Sequence, residues 1–234
     1  MPQTPAVQDY LKAIYHLRQL TGKVGTTQLA RHLSVAPASA TDMVKKLAEA
    51  NLVEHRPYRG IDLTEMGERE ALRVIRHHRL IETFLAEVLE VPWDRVHEEA
   101  ERLEHVISED LEQRMDRLLG YPSTDPHGAP IPSADLRIRL PENVEPLSRF
   151  AESVTSWPCA ATVVQVSDHD PALLRTYATL GVRPAVEFDL LDSGGRALTL
   201  QVGNATEPVQ LARDAADYVL VRPKQHAATR SSTV

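Results

Sequence analysis

The spacing of apolar residues changes character once along this chain of 234 residues, and that change limits the folds open to it. Up to about residue 119, apolar positions recur every three or four residues, the period of an amphipathic helix. From about residue 155 they alternate or run in short blocks, as strands do. Between the two regimes, residues 121–150 hold six prolines, at 122, 126, 130, 132, 141 and 146, which reads as a connecting segment. A helical front and a sheet-forming rear therefore form separate cores.

The helical half divides further. Val7, Tyr10, Leu11, Ile14 and Leu17 predict a helix over 5–20, closed by "TG". "TTQLARHL" reads as a short helix with Thr26 or Thr27 as its N-cap, "SVA" as a tight turn, and "PASATDMVKKLAEANL" as a second helix with Pro37 in its first turn. "LVEHRPYRGIDLT" reads as two short strands around a Pro-Tyr-Arg-Gly turn. Long helices follow over 64–90 and about 94–119. The rear strands are "ATVVQVS", "AVEFDLL", "RALTLQV", "EPVQLA" and "YVLVR", interrupted by the helix "PALLRTYATLG", with Gly194-Gly195 as a hairpin turn. The expected class is mainly α with β. It comprises a winged helix-turn-helix over 1–65, a helical domain over 66–140, a linker over 141–154, a small SH3-like β-barrel over 155–224 and a tail over 225–234.

Composition excludes several classes. The single cysteine, Cys159, forbids an intrachain disulfide framework and a thiolate metal cluster. No run approaches 18 apolar residues, and the N-terminus lacks a signal-peptide pattern, so a reducing cytoplasm is the simplest setting. There is no G-x-S-x-G, phosphate-binding glycine loop or H-E-x-x-H, so nothing supports an enzyme or a small organic substrate. The net charge of −7 is unevenly spread. Residues 1–60 carry eight Lys/Arg against four Asp/Glu, whereas residues 61–120 carry eight against sixteen. That is a polyanion-binding module joined to a cation-attracting body.

In the first module, Ser39, Thr41 and Asp42 lie early on the second helix of the helix-turn-helix, away from its apolar face. Short polar side chains there approach base edges and phosphates of double-stranded DNA. Lys45 and Lys46 would add phosphate contacts, and Arg56, Tyr58 and Arg59 in the wing would reach an adjacent phosphate or the minor groove. Asp42 needs a cytosine amino group or a neighbouring lysine as partner.

The body contains "VHEEAERLEHVISED", residues 96–110, with two histidines and six carboxylates. On a helix, Val96, Ala100, Leu103, Ile107 and Leu111 form an apolar stripe, and His97, Glu101, Glu104 and His105 a second stripe at its edge. Carboxylates this close at a core repel unless protonated or bridged by a cation. His78 and Glu82 on the preceding helix are another pair spaced by four. Oxygen and imidazole donors without sulfur favour Mn²⁺ or Fe²⁺, though Zn²⁺, Co²⁺ and Cd²⁺ would also bind in vitro. A solvated acidic helix with ordinary four-residue pairs accounts for any one of these residues taken singly.

"VQDYLKAIYHL", "LSVAPASATDMVKKLAEANLVEHRPYRGIDLTEMG", "RHHRLIETFL" and "VHEEAERLEHVISEDLEQRM" resemble successive signatures of the diphtheria-toxin-repressor family of metal-dependent regulators. "PHGAPIPS" is similar to its interdomain segment, and the region after 155 to its SH3-like, FeoA-like third domain. The resemblance implies a homodimeric repressor of metal-uptake genes that binds palindromic operators when loaded with Fe²⁺ or Mn²⁺. Asp9 and Glu101 match the manganese-responsive members, where iron-responsive ones carry Met and Cys. The implied primary ligands are Asp9, Glu101, Glu104 and His105. The implied ancillary ligands are His78, Glu82 and His97, completed by an acidic group of the third domain, for which Asp170 is the candidate within Asp168-His169-Asp170. Two features depart from the manganese pattern: Lys12 stands where a Glu is usual, and a third domain is present. Leu72, Ile75, Phe84, Leu85 and Leu118 are candidates for the dimer surface, with spacing that suits an intrachain core equally well. Two rivals are a winged-helix regulator of an organic ligand and a metal-storage or chaperone protein whose helix-turn-helix is only structural.

Overall fold

The structure is a computed structural model that describes residues 4–56 and 60–224. Helix α1 (Pro5–Thr21) begins with Thr4 as N-cap and Pro5 in its first turn, and closes on Gly22 at φ 68°. The left-handed conformation there explains why "TG" ends the helix. Helices α2 (Thr26–His32) and α3 (Pro37–Glu49) follow, separated by a turn in which Ser34 takes φ 54°. Strands β1 (Val53–Arg56) and β2 (Gly60–Leu63) pair antiparallel, Val53 opposite Leu63 and Arg56 opposite Gly60. The Ile61 N–H donates to the Val24 carbonyl at 2.9 Å, which anchors the wing against the chain between α1 and α2.

Helix α4 (Glu65–Glu87) opens on the Thr64 hydroxyl, which accepts from the Gly67 N–H at 3.1 Å. A β-carbon at Gly67 would stand 1.9 Å from the Leu52 carbonyl oxygen, so only glycine lets α4 lie this close to the entry of β1. Helices α5 (Val96–Leu103) and α6 (Glu109–Leu118) stand where one helix over 94–119 is expected from the sequence. Ser108 explains the break: its hydroxyl accepts from the Leu111 N–H at 3.2 Å and starts a new helix. The expected apolar stripe is interrupted with it. Val96 and Ala100 are fully buried, whereas Leu103 and Leu111 are 39% and 45% exposed.

The remaining elements are β3 (Glu145–Pro146), α7 (Leu147–Ser153), β4 (Cys159–Val166), α8 (Pro171–Leu180), β5 (Glu187–Asp192), β6 (Ala197–Val202), β7 (Val209–Ala212), α9 (Arg213–Ala216) and β8 (Val219–Pro223). Among the described residues, six strands form one antiparallel sheet in the order β3-β8-β4-β5-β6-β7, consistent with an SH3-like domain. Alternation along β6 buries Leu198, Leu200 and Val202 and turns Ala197, Thr199 and Gln201 outward. The core of this domain also takes Leu147, Phe150 and Ala151 from α7, so the segment 141–154, expected as a linker, contributes a strand and a helix.

The chain packs as two compact units. The first comprises residues 1–85, 98–123 and 131–139, and the second residues 86–97, 124–130 and 140–234. The expected boundary at 65/66 is not a break in packing. Ala71, Leu72 and Ile75 of α4 lie in the same cluster as Leu11, Ile14, Leu29, Val44 and Leu47 of the first three helices. Leu72 and Ile75 therefore serve an intrachain core rather than a subunit surface. In the second unit, Gly128 at φ 90° lies against β4, where a β-carbon would come within 2.1 Å of the Val164 carbonyl oxygen. None of the described helices is long and apolar enough to cross a membrane.

Candidate metal centre

The centre lies in the first unit, where α1, α4 and the end of α5 converge. Because α5 stops at Leu103, Glu104 and His105 leave its last turn side by side. Glu104 is 1% exposed, and Glu101, one turn back, keeps 41% of its side chain in solvent. From α1, Gln8, Asp9 and Lys12 point at the same place, as residues spaced by three and four on a helix do. The His105 Nε2 stands 2.9 Å from Asp9 Oδ1 and 3.5 Å from Glu104 Oε1, and its Nδ1 is 2.7 Å from Gln8 Oε1. The donor atoms of Asp9, Glu104 and His105 all lie within 4.8 Å of one another.

Glu104 also belongs to a second set. Its Oε2 is 2.5 Å from His78 Nδ1, which in turn is 3.5 Å from Glu101 Oε1. His78 Nε2 faces Glu82 Oε1 at 3.1 Å, so α4 presents this pair one turn apart, both buried. The Lys12 ammonium spans the carboxylates, 2.7 Å from Glu101 Oε1 and 2.6 Å from Glu104 Oε1. Three of the four expected primary ligands thus share one locus, and Glu101 faces the neighbouring one.

The environment tunes each group by competition. Burial raises the Asp9 carboxyl, against the opposite pull of His105 and Lys12. Burial also opposes ionisation of Glu104, but the His78 hydrogen bond and the Lys12 charge outweigh it and hold that carboxyl below its ordinary value. Burial would lower Lys12, yet Glu104 and Glu101 together raise it. Burial likewise disfavours the His78 imidazolium, but the Glu82 charge and the hydrogen bonds to Glu104 and Glu82 push it up from 6.5 to about 9.

The sign of the resulting pH effect is fixed. A raised imidazole stabilises the fold fully below its unfolded pKa and loses that contribution as pH climbs through the folded value. The unfolding free energy of metal-free protein, measured by urea titration, should therefore fall between pH 6.5 and about 9, by an amount on the order of 3 kcal/mol. His78→Asn should flatten that slope, and an equally steep slope in the variant would refute the assignment.

A second network frames the centre. Arg76 of α4 is buried, with Nε 2.6 Å from Glu112 Oε1, Nη2 2.6 Å from Asp116 Oδ2 and Nη1 donating to the Pro132 carbonyl at 2.6 Å. Beside it, His77 joins the Glu104 carbonyl and Glu112 Oε2, both at 3.0 Å. These bonds tie α6 and the segment after it to the helix that carries His78.

In the second unit, His97 Nδ1 lies 3.5 Å from Asp168 Oδ2, and the His169 ring meets the His97 ring edge-on. Asp170, the expected third-domain ligand, is used otherwise: its carboxylate caps α8, accepting from Ala172 N–H at 2.8 Å and Leu173 N–H at 3.4 Å. Asp168 is thus the acidic neighbour of His97. Asp-Pro at the start of a helix is itself a capping signature, with Asp170 as N-cap and Pro171 at the first helical position.

On α3, Ser39, Asp42, Lys45 and Lys46 are exposed. Asp42 has the lysine partner that the sequence demanded, Lys45 at 3.3 Å. Thr41 is half-buried and donates its hydroxyl back to the Pro37 carbonyl at 2.9 Å, which leaves only its oxygen lone pairs facing outward. Arg56 ends β1, while Tyr58 and Arg59 lie outside the described residues.

A helix-turn-helix with a two-stranded wing, joined to buried imidazoles and carboxylates from three helices, defines a metal-responsive DNA-binding regulator. Comparison with known proteins agrees. Residues 3–61 match the N-terminal DNA-binding domain of iron-dependent repressors, and residues 64–133 match their metal-binding and dimerisation domain. The iron-dependent repressor IdeR of Mycobacterium tuberculosis is 32% identical over 215 residues, spanning 87% of this chain and 92% of that protein. The diphtheria toxin repressor of Corynebacterium diphtheriae is 27% identical over 202 residues, spanning 85% and 89%. A solved manganese-dependent transcriptional repressor in complex with manganese is 36% identical and superposes with a TM-score of 0.83 over 93% of this chain and all of that one. The chain belongs to the iron-dependent repressor family, the family of metal-dependent transcriptional repressors that includes the diphtheria toxin repressor.

Proposed function

We propose that this protein is a manganese-responsive repressor of metal-uptake genes that binds a palindromic operator as a metal-loaded homodimer. One observation carries the reading: donor atoms of Asp9, Glu104 and His105, from segments almost a hundred residues apart, converge within 4.8 Å. The residues fit a divalent ion, since hard oxygen and imidazole donors already face one another there without sulfur. The carboxylate at Glu101 and the manganese complex among the similar structures favour Mn²⁺ over Fe²⁺.

Asp9, Glu104 and His105, with Glu101 beside them, would hold the ion, which supplies the positive charge that lets these carboxylates sit together around the buried Glu104. Asp9 belongs to the first helix of the DNA-reading module, and Glu104 and His105 to the dimerisation segment. Holding these elements together fixes how α3 is presented, and so the spacing of two recognition helices in successive major grooves. Ser39, Lys45 and Lys46 on α3, with Arg56, Tyr58 and Arg59 of the wing, make the DNA contacts; Asp42 orients Lys45. For the ancillary ion that the family likeness implies, His78 with Glu82 in the first unit and His97 with Asp168 in the second are the candidate donor pairs. Exposed apolar residues of α6 and its flanks, Leu111, Leu118 and Val106, suit the dimer surface.

Fluorescence anisotropy on the DNA upstream of the protein's own gene tests the switch. In wild type, Mn²⁺ should tighten binding by roughly 5–150-fold, the range of ordinary coupling energies. Asp9→Ala should abolish that gain and leave the metal-free affinity unchanged. Identical affinities with and without Mn²⁺ in wild type would refute the proposal.

A further inference from the structure

We infer that Lys12 is a built-in cation that takes the place of a second metal ion, so that the primary cluster accepts a single divalent ion, on its Asp9, Glu104 and His105 side. This rests on the metal-binding reading above and adds the number of ions and the group that sets it.

Two sets of donors meet in the cluster, Asp9 with Glu104 and His105, and His78 with Glu101 and Glu104. Glu104 is common to both, and a shared carboxylate is what a pair of neighbouring ions would require. The Lys12 ammonium lies 2.7 Å from Glu101 Oε1, which belongs to the second set alone, and 2.6 Å from Glu104 Oε1, while Glu104 Oε2 faces His78. Its side chain is only 12% exposed, so the charge is held in place rather than drifting in solvent. An ammonium has three donors and no acceptor, and while protonated it repels a metal ion instead of ligating it. A divalent ion held by His78 Nδ1, Glu101 and Glu104 would have to take the Glu101 carboxylate from Lys12 and stand beside a buried ammonium.

Asp9, Glu101 and Glu104 bring three carboxylates to the two donor sets, and Lys12 places one fixed positive charge among them. Lys12 lies three residues after Asp9 on the same face of α1, so a Glu there would instead add a fourth carboxylate to Asp9, Glu101 and Glu104.

Equilibrium dialysis against Mn²⁺ with elemental counting, followed by low-temperature electron paramagnetic resonance, tests this. Wild type should show isolated Mn²⁺ signals without an exchange-coupled pair. Lys12→Glu should bind one more ion per chain than wild type and develop the coupled signal. Lys12→Gln, which removes the ammonium without adding a carboxylate, should also gain an ion if Lys12→Glu fails to fold by circular dichroism. A coupled pair in wild type overturns the role of Lys12 and leaves the metal-binding reading standing, and so does an unchanged ion count in whichever variant folds. A wild type that takes up no Mn²⁺ overturns both.

Discussion

Glu104→Ala should cost the metal-free protein about 3–5 kcal/mol, the usual effect of removing one partner from a buried ion pair. Glu104 is the carboxylate on which the cluster turns. It faces Lys12 at 2.6 Å, His78 at 2.5 Å and His105 at 3.5 Å. Without it, the Lys12 ammonium keeps only Glu101 among these carboxylates, and the His78 imidazole loses its shorter contact. The same change removes the ligand common to both donor sets, so Mn²⁺-dependent operator binding should disappear as well. Urea unfolding in chelator measures the first effect and anisotropy the second. The comparison is Glu99→Ala on the same helix, whose carboxylate pairs at the surface with Arg102 at 2.9 Å. Surface pairs of that kind contribute about 0–1 kcal/mol, so this variant should stay close to wild type in both assays. If the two substitutions behave alike, the acidic stretch is a solvated helix after all.

Arg76→Met should destabilise by a similar amount, about 3–5 kcal/mol, through a different mechanism. The guanidinium is 4% exposed and joins Glu112, Asp116 and the Pro132 carbonyl, each at 2.6 Å. Methionine fills the volume but takes the guanidinium from Asp116 and leaves Glu112 to His77. Converting Glu112 and Asp116 to leucine in the same chain should recover most of the loss, because a fully apolar replacement of a buried ionic triad is often neutral. Thermal unfolding of the single and triple variants is the measurement. A triple variant no more stable than Arg76→Met would show that the network holds α6 through geometry that apolar packing cannot replace. Since His77 links the same Glu112 to the Glu104 backbone, Arg76→Met should also weaken Mn²⁺ binding.

Helix positions were legible wherever a local signal coincided with the apolar period. Thr4 with Pro5 and Gly22 delimit α1, and Pro37 opens α3. The break between α5 and α6 was concealed because "HVIS" keeps the helical period that a continuous helix would show, while the Ser108 cap outweighs it. At Asp170 a related competition applies: a carboxylate just ahead of a proline-initiated helix serves the backbone first. Asp168, two residues earlier, is the one beside His97. Lys12 stood out in the sequence only as a departure from a family pattern; that it bridges Glu101 and Glu104 depends on which way α1 faces α5.

The sequence by itself determined the division into a helical front and a sheet-forming rear, the basic reading module, and the donor types that select hard divalent ions. These are local properties, set by periodicity, turn residues and side-chain chemistry, and they do not depend on how elements pack. Tertiary structure alone decided that α4 shares its core with the first three helices, that Leu72 and Ile75 point inward, and that Asp9 meets Glu104 and His105. Contacts between residues almost a hundred positions apart follow from burial of apolar surface on every element at once, and no single window of sequence contains that sum.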